Sequence, residues 1–161
     1  MHIIFLALGT NLGDRSAALQ AALRGLPPAI QQVEQSTVYE TPPWGLAEQP
    51  PFLNMVVRGG TLLNPHELLE YLKKLETRLG RLPSVRWGPR LIDIDILFYD
   101  DLVLRSPELS VPHPHLQERA FVLVPLMDLA PDLVHPVLGE TIQQLAAKVE
   151  DTGVKPYDRT D

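Results

Sequence analysis

Apolar residues recur along the chain with two periods, and the places where the period changes mark out the elements. HIIFLALG, residues 2–9, is a run of large apolar side chains that stops at Gly9 and reads as a first strand. The turn GTNLGD follows. Asp14 can cap a helix over about 15–26, with Leu19, Ala22, Leu23 and Leu26 on one face and Pro27-Pro28 ending it. QQVEQSTVYET alternates well enough for a second strand over about 32–40. The irregular segment TPPWGLAEQPP leads into a third strand, FLNMVVRGGTL. Asn64-Pro65-His66-Glu67 combines a capping residue, a proline at the first helical position and an acid able to complete the capping box. Leu68, Leu72, Leu75 and Leu79 then recur at helical spacing, and Gly80 stops the helix.

A second irregular segment, RLPSVRWGPR, feeds the run LIDIDILF. Its large apolar residues favour a mostly buried strand. Alternation puts Asp93 and Asp95 on one face and Ile92, Ile94 and Ile96 on the other. Asp100-Asp101 reads as a hairpin turn into LVL, residues 102–104. VPHPHLQER is a proline-marked loop. AFVLVPLMDLAP reads as a short helix against the preference of its β-branched residues. Thr141 to Val149 reads as helical, and the last residues are expected to fray. Strand, helix, strand, strand, helix, strand is the order of a ferredoxin-like α+β domain with a mainly antiparallel sheet and helices packed on it.

The length, 161 residues, suits a single domain over 1–161, and the apolar share of 45% supplies its core. A formal net charge of −6 argues against a general nucleic-acid binder. The absence of cysteine removes disulfides and thiolate zinc sites. The N-terminal apolar run has no basic lead-in, so it reads as a strand and not as a signal peptide. No segment is apolar enough to cross a bilayer, and a cytoplasmic monomer is the expectation.

The chemistry begins with the two acids. Buried unpaired carboxylates are costly, and neighbouring ones repel. Residues two apart on a strand lie about 7 Å apart at Cα, so both carboxylates can reach common sites. Such oxygens suit Mg²⁺, which takes one or two carboxylates plus phosphate and water. The bland alternative is a solvated face, or acids paired with arginines. Arg78, Arg81, Arg86 and Arg90 surround one loop of an acidic protein. They either neutralise those acids or fork onto phosphate. Arg119 adds a cation beside His113 and His115, but no set of histidines has the spacing of a dedicated zinc site. Phe52 and Phe121, at element starts, read first as core. Trp44 and Trp87 lie in loops, where aromatic residues bind flat ligands or cover a site. Asn54 shares a strand face with Phe52 and can read a heterocycle's edge or bond a nearby loop. The Gly9–Gly13 turn has neither the lysine of a Walker loop nor a third glycine, and reads as a tight turn.

Taken together, the motifs resemble the 6-hydroxymethyl-7,8-dihydropterin pyrophosphokinase family of the folate pathway. Arg86-Trp87-Gly88-Pro89-Arg90-Leu91-Ile92-Asp93-Ile94-Asp95-Ile96-Leu97 is similar to its central motif, and Gly9-Thr10-Asn11-Leu12-Gly13 to its first loop. Tyr39-Glu40-Thr41-Pro42-Pro43, Phe52-Leu53-Asn54, Val111-Pro112-His113-Pro114 and Glu118 to Leu123 follow in the family's order. The resemblance spans nearly the whole chain. It implies transfer of pyrophosphate from ATP to the pterin hydroxymethyl group, with AMP released. It implies that Asp93 and Asp95 hold two Mg²⁺ ions. Phe52 and Phe121 would sandwich the pterin, Asn54 with Thr41, Pro42, Pro43 and Trp44 would read its edge, and Trp87 would cover it. Arg81 and Arg90 would be the transition-state cations. Lys73, Glu76, Ile96, His113 and Arg119, with the same two arginines, would contact ATP. The chain departs from the family pattern at Pro83, where many relatives carry a further arginine.

Two other readings use the same residues. A metal-dependent nuclease or phosphodiesterase would share the acid pair but needs a basic groove. A binding module would use the aromatic slot without needing the acids.

Overall fold

The computed structural model describes residues 1–42, 50–80, 91–150 and 153–157, and a six-stranded antiparallel sheet runs through them. In chain order the elements are β1 (His2–Thr10), α1 (Arg15–Arg24), β2 (Ile30–Gln35), β3 (Tyr39–Thr41), β4 (Phe52–Thr61), α2 (Pro65–Leu79) and β5 (Asp93–Tyr99). There follow β6 (Leu104–Arg105), β7 (Ser110–Val111), a 3-10 turn at Leu116–Glu118, α3 (Ala120–Leu129), α4 (Ile142–Ala146) and β8 (Lys155–Pro156). The sheet runs β5-β1-β4-β3-β8, with β2 also paired to β4; β6 and β7 form a separate ribbon. The expected ferredoxin-like arrangement is present, with β2 and β3 together filling the place of one strand.

Alternation along β1 divides the core. Ile4, Leu6 and Leu8 pack with Leu19 and Ala22 of α1 and with Leu68, Leu72 and Leu75 of α2. Phe5 and Ala7 face the other way, toward Val122, Leu123 and Leu126 of α3 and Ile142 and Leu145 of α4. The sheet is thus covered on both faces. Each fully buried leucine contributes about 1.5–3 kcal/mol to that packing. The helix starts follow the sequence: Asp14 accepts from Ala17 N–H at 3.0 Å, and Asn64 and Glu67 complete a capping box at 2.9 Å on each arm. Burial of Val122, Leu123, Pro125 and Leu126 holds α3 helical despite its β-branched residues and its internal proline.

Four expectations need correction. The first helix ends at the Gly25 cap, before Pro27-Pro28. The single strand expected over 32–40 is broken at Ser36. There the Ser36 hydroxyl replaces a backbone carbonyl as the acceptor for Val56 N–H at 2.9 Å, so the ladder restarts as β3. Asp100-Asp101 does form a turn, with Leu102 N–H donating to Tyr99 C=O at 3.0 Å, but no hairpin follows. The chain leaves β5, and Leu104 pairs instead with Val111, because Asp100 is held by Ile3 N–H at 2.7 Å and by His2 at 2.8 Å. Finally, the helix expected over Thr141 to Val149 covers Ile142–Ala146, and the chain then rejoins the sheet, where Lys155 and Pro156 pair with Glu40 and Tyr39; the last residues, expected to fray, lie outside the described residues from 158 on.

β5 also carries a bulge, because its register against β1 shifts between Phe5 and Leu6. Ile94 and Ile96 point to the α2 side, whereas Leu97 and Phe98 both join the α3 side. Asp93 and Asp95 share the face of Leu97.

Candidate active site

One register row crosses four strands: Asp93 of β5, Gly9 of β1, Asn54 of β4 and Tyr39 of β3. Two residues away on the same face, Asp95 stands opposite Ala7. The β1 side chains on this face shrink from Phe5 to Ala7 to Gly9, which leaves an open floor between the acids and Asn54. Over that floor lies a cavity of about 610 Å³, closed on its far side by the loop and helix start around His113, Arg119 and Phe121. Its size is that of a small-molecule site.

Asp93 is exposed and Asp95 half-buried, so both carboxylates open to the cavity. Among the described residues no cluster of three or more His, Cys, Asp or Glu forms a protein metal cage. Two carboxylates beside open space are the donor set that Mg²⁺ accepts when phosphate and water complete its shell. Between the acids, Ile94 N–H donates to the buried Glu76 carboxylate at 2.7 Å. Lys73 Nζ lies 3.6 Å from the other oxygen of Glu76.

At the opposite end, Asn54 is buried and donates from Nδ2 to Thr41 Oγ1 at 2.9 Å. That bond leaves the amide fixed in direction beside the ring of Phe52. Phe52 and Phe121 are both half-buried, neither sealed in the core. The Arg119 guanidinium lies 5.7 Å from the centroid of the Phe121 ring, within cation–π range. His113 is tied to β5 by its N–H, which donates to Leu97 C=O at 3.0 Å. Burial holds its imidazole below the ordinary histidine range. Asp95 pulls the other way, and Arg119 and His115 add to the lowering.

The cavity therefore gathers Thr41, Phe52, Asn54, Asp93, Asp95, His113, Arg119 and Phe121 from separate segments of the chain. Ile96 projects into the core on the α2 side. Lys73 and Glu76 stand on α2 beside β5, and Pro42 is exposed at the end of β3. Pro43, Trp44, Arg81, Trp87 and Arg90 lie outside the described residues. Gly9, read from the residues as part of a tight turn, belongs to the floor, a role set by Asn54 opposite it on β4.

The family model for 7,8-dihydro-6-hydroxymethylpterin-pyrophosphokinase matches residues 5–131. The chain belongs to this pyrophosphokinase family. A 2-amino-4-hydroxy-6-hydroxymethyldihydropteridine pyrophosphokinase of Methylorubrum extorquens is 46% identical over 153 residues, covering 94% of this chain and 96% of that protein. Its counterpart from Aquifex aeolicus is 41% identical over 157 residues, covering 98% and 96%. The folic acid synthesis protein FOL1 of Dictyostelium discoideum is 38% identical over 152 residues, and the match covers 23% of its length. Among solved structures, wild-type HPPK-DHPS of Plasmodium falciparum superposes with a TM-score of 0.75 at 20% identity, covering 91% of this chain. The chain spans 44% of that solved chain, and the likeness bears on the fold alone.

Proposed function

We propose that the chain transfers pyrophosphate from ATP to 6-hydroxymethyl-7,8-dihydropterin, giving the pterin diphosphate and AMP for folate synthesis. The observation that carries this reading is the cavity itself. It sets an acid pair at one end, a fixed amide with two ring faces at the other, and Arg119 and His113 along one wall. Full-length relatives named for this activity support it.

In the reaction the hydroxymethyl oxygen bonds to the β-phosphorus and its proton is released to solvent, the bond from that phosphorus to the α,β-bridging oxygen breaks, and AMP leaves. Such a transfer asks the protein mainly for positioning and charge stabilisation. Phe52 and Phe121 hold the pterin between them. Asn54 and Thr41, continued by Pro42, Pro43 and Trp44, read its edge, and Trp87 covers it. That orients the hydroxyl toward the phosphates, and orientation of this kind contributes up to roughly 7–11 kcal/mol. Asp93 and Asp95 hold two Mg²⁺ ions, which when bound neutralise phosphate charge. Arg119 and a neutral His113 contact the nucleotide, with Lys73 and Glu76 on α2 beside β5; Ile96, whose side chain is in the core, contributes its backbone alone. Arg81 and Arg90, outside the described residues, complete the cationic side. In this reading one domain over 1–161 works as a monomer in the cytoplasm.

The test is direct. Protein, Mg²⁺, ATP and the hydroxymethyl-dihydropterin should yield AMP in equal amount to the pterin diphosphate. Release of ADP, or of AMP without the pterin, overturns the reading.

A further inference from the structure

We infer that Arg15 is a positioning residue for the pterin end of the cavity, acting from the opposite face of the sheet through Glu40 and Pro51. The inference rests on the activity proposed above. Arg15 Nη1 donates to Glu40 Oε2 and to Pro51 C=O, each at 2.8 Å. One nitrogen has two hydrogens, so a single guanidinium corner ties β3 to the start of β4. The residues it ties are telling. Glu40 immediately precedes Thr41, and Pro51 immediately precedes Phe52. Thr41 and Phe52 are themselves the last pair of the β3–β4 ladder. Among the described residues no ladder pair follows it, and Arg15 supplies a constraint on the spacing of the strands there.

The guanidinium is seated as well as bonded. Its side chain is 20% exposed, and its carbon lies 5.4 Å from the centroid of the Tyr157 ring. Tyr157 in turn is anchored by its N–H, which donates to Val38 C=O at 2.8 Å, and β8 just before it pairs with β3. Gly153 closes against the same place: a Cβ there would come within 2.8 Å of the Pro42 ring. The C-terminal segment therefore braces the strand that carries Thr41, and Arg15 locks the brace to the strand that carries Phe52. Alternation puts the Glu40 side chain on the far side of the sheet from Thr41 and Asn54. Arg15 so acts on the edge-reading pair without touching the cavity.

The experiment compares full-length wild type with Arg15→Ala, Arg15→Lys and Tyr157→Ala. AMP formation gives kcat and the KM for hydroxymethyl-dihydropterin, and calorimetry gives the Kd of a non-hydrolysable ATP analogue. Arg15→Ala should raise the pterin KM about tenfold while the ATP-analogue Kd stays within about twofold of wild type. Lysine can donate to both acceptors and should recover most of the loss. Tyr157→Ala should move the pterin KM in the same direction by less. An unchanged pterin KM, or equal losses for pterin and ATP analogue, overturns the inference. If Arg15→Ala does not fold, Glu40→Gln decides: a rise in pterin KM alone supports the inference, and no change overturns it. A wild type that forms no AMP overturns the activity and this inference with it, whereas an active wild type with an indifferent Arg15 overturns the inference alone.

Discussion

Gly9 and Asn54 face each other across β1 and β4 with no room between them. A Cβ on Gly9 would lie 2.8 Å from Asn54 Oδ1. Asn54 cannot swing aside freely, because it is buried and bonded to Thr41. Gly9→Ala should therefore displace the amide and cost about 1–3 kcal/mol of stability from overpacking. Pterin affinity should fall with it, and ATP affinity much less. Denaturant unfolding and separate calorimetric titrations check both parts. Normal pterin binding in a folded Gly9→Ala protein would show that Asn54 does not read the ligand.

Asp93→Ala and Asp95→Ala should each abolish turnover while the fold survives. Neither carboxylate is in the core: Asp93 is exposed and Asp95 half-buried, so alanine opens no cavity there. Loss of a metal clamp costs several kcal/mol of barrier, roughly a thousandfold or more in rate. The melting temperature should hold or rise, since two neighbouring like charges are separated. AMP assays at saturating Mg²⁺, beside a thermal melt, decide this. Near-normal activity in either variant would remove the two-metal reading.

Phe52→Ala and Phe121→Ala should both weaken pterin binding, but they should differ toward ATP. Stacking contributes about 0.5–1.5 kcal/mol beyond burial, which sets the loss at severalfold to tenfold for pterin. The Arg119 guanidinium rests over Phe121 and not over Phe52. Removing Phe121 should thus also weaken ATP binding modestly, whereas Phe52→Ala should leave it intact. Titration of each ligand alone separates the cases. Equal loss of both ligands in both variants would make these rings structural.

The backbone of this site was legible because its cues are local. The caps at Asp14 and Asn64, the leucine spacing of α2 and the alternation through Asp93 and Asp95 each lie within a few residues of one another. What was not legible depends on distant partners. Ser36 breaks a strand only because Val56 offers its N–H, and the turn at Asp100 leads away from β5 only because Ile3 and His2 hold that carboxylate. The pairing of Lys155 with Glu40 is separated by most of the chain, and nothing in the tail itself announces it. The site divides the same way. Its acids and aromatics carry recognisable spacing, whereas the roles of Gly9 and Arg15 come from what stands opposite them.

Stability should fall below neutral pH in part through His135. This ring is 4% exposed, and its Nδ1 accepts from Val137 and Leu138 N–H at 3.2 and 3.1 Å. Burial holds it below the ordinary value, so the folded protein keeps it neutral. As pH drops through about 6.5 the unfolded chain binds the proton first, and stability is lost until the folded ring also titrates. Above that range His135 contributes no pH dependence. Urea midpoints at pH 7.5 and about 5 should converge in His135→Gln relative to wild type. An unchanged slope would assign the acid sensitivity elsewhere.

Glu76 joins the α2 helix to the backbone between the two acids, and that link should matter for metal use as well as stability. Its Oε2 accepts from Ile94 N–H at 2.7 Å, and the residue is 7% exposed. Asp93 and Asp95 flank Ile94, so a shift of that peptide moves both carboxylates at once. Among the described residues β5 is the edge strand of the sheet, paired there with β1 alone. The Glu76 carboxylate therefore stands where a further strand would otherwise hold the backbone. Glu76→Ala leaves the Ile94 N–H without this acceptor and should destabilise by about 1.5–3 kcal/mol, the range for a hydrogen bond to a charged group. Glu76→Gln keeps an acceptor of the same reach and should recover part of the loss. Mg²⁺ dependence separates the two consequences. With the anchor gone, the concentration for half-maximal activity should rise severalfold in the alanine variant and less in the glutamine one. A variant that is destabilised yet shows the wild-type Mg²⁺ profile would confine Glu76 to holding the fold. A profile shifted equally in both variants would point to its charge, and not to its grip on Ile94.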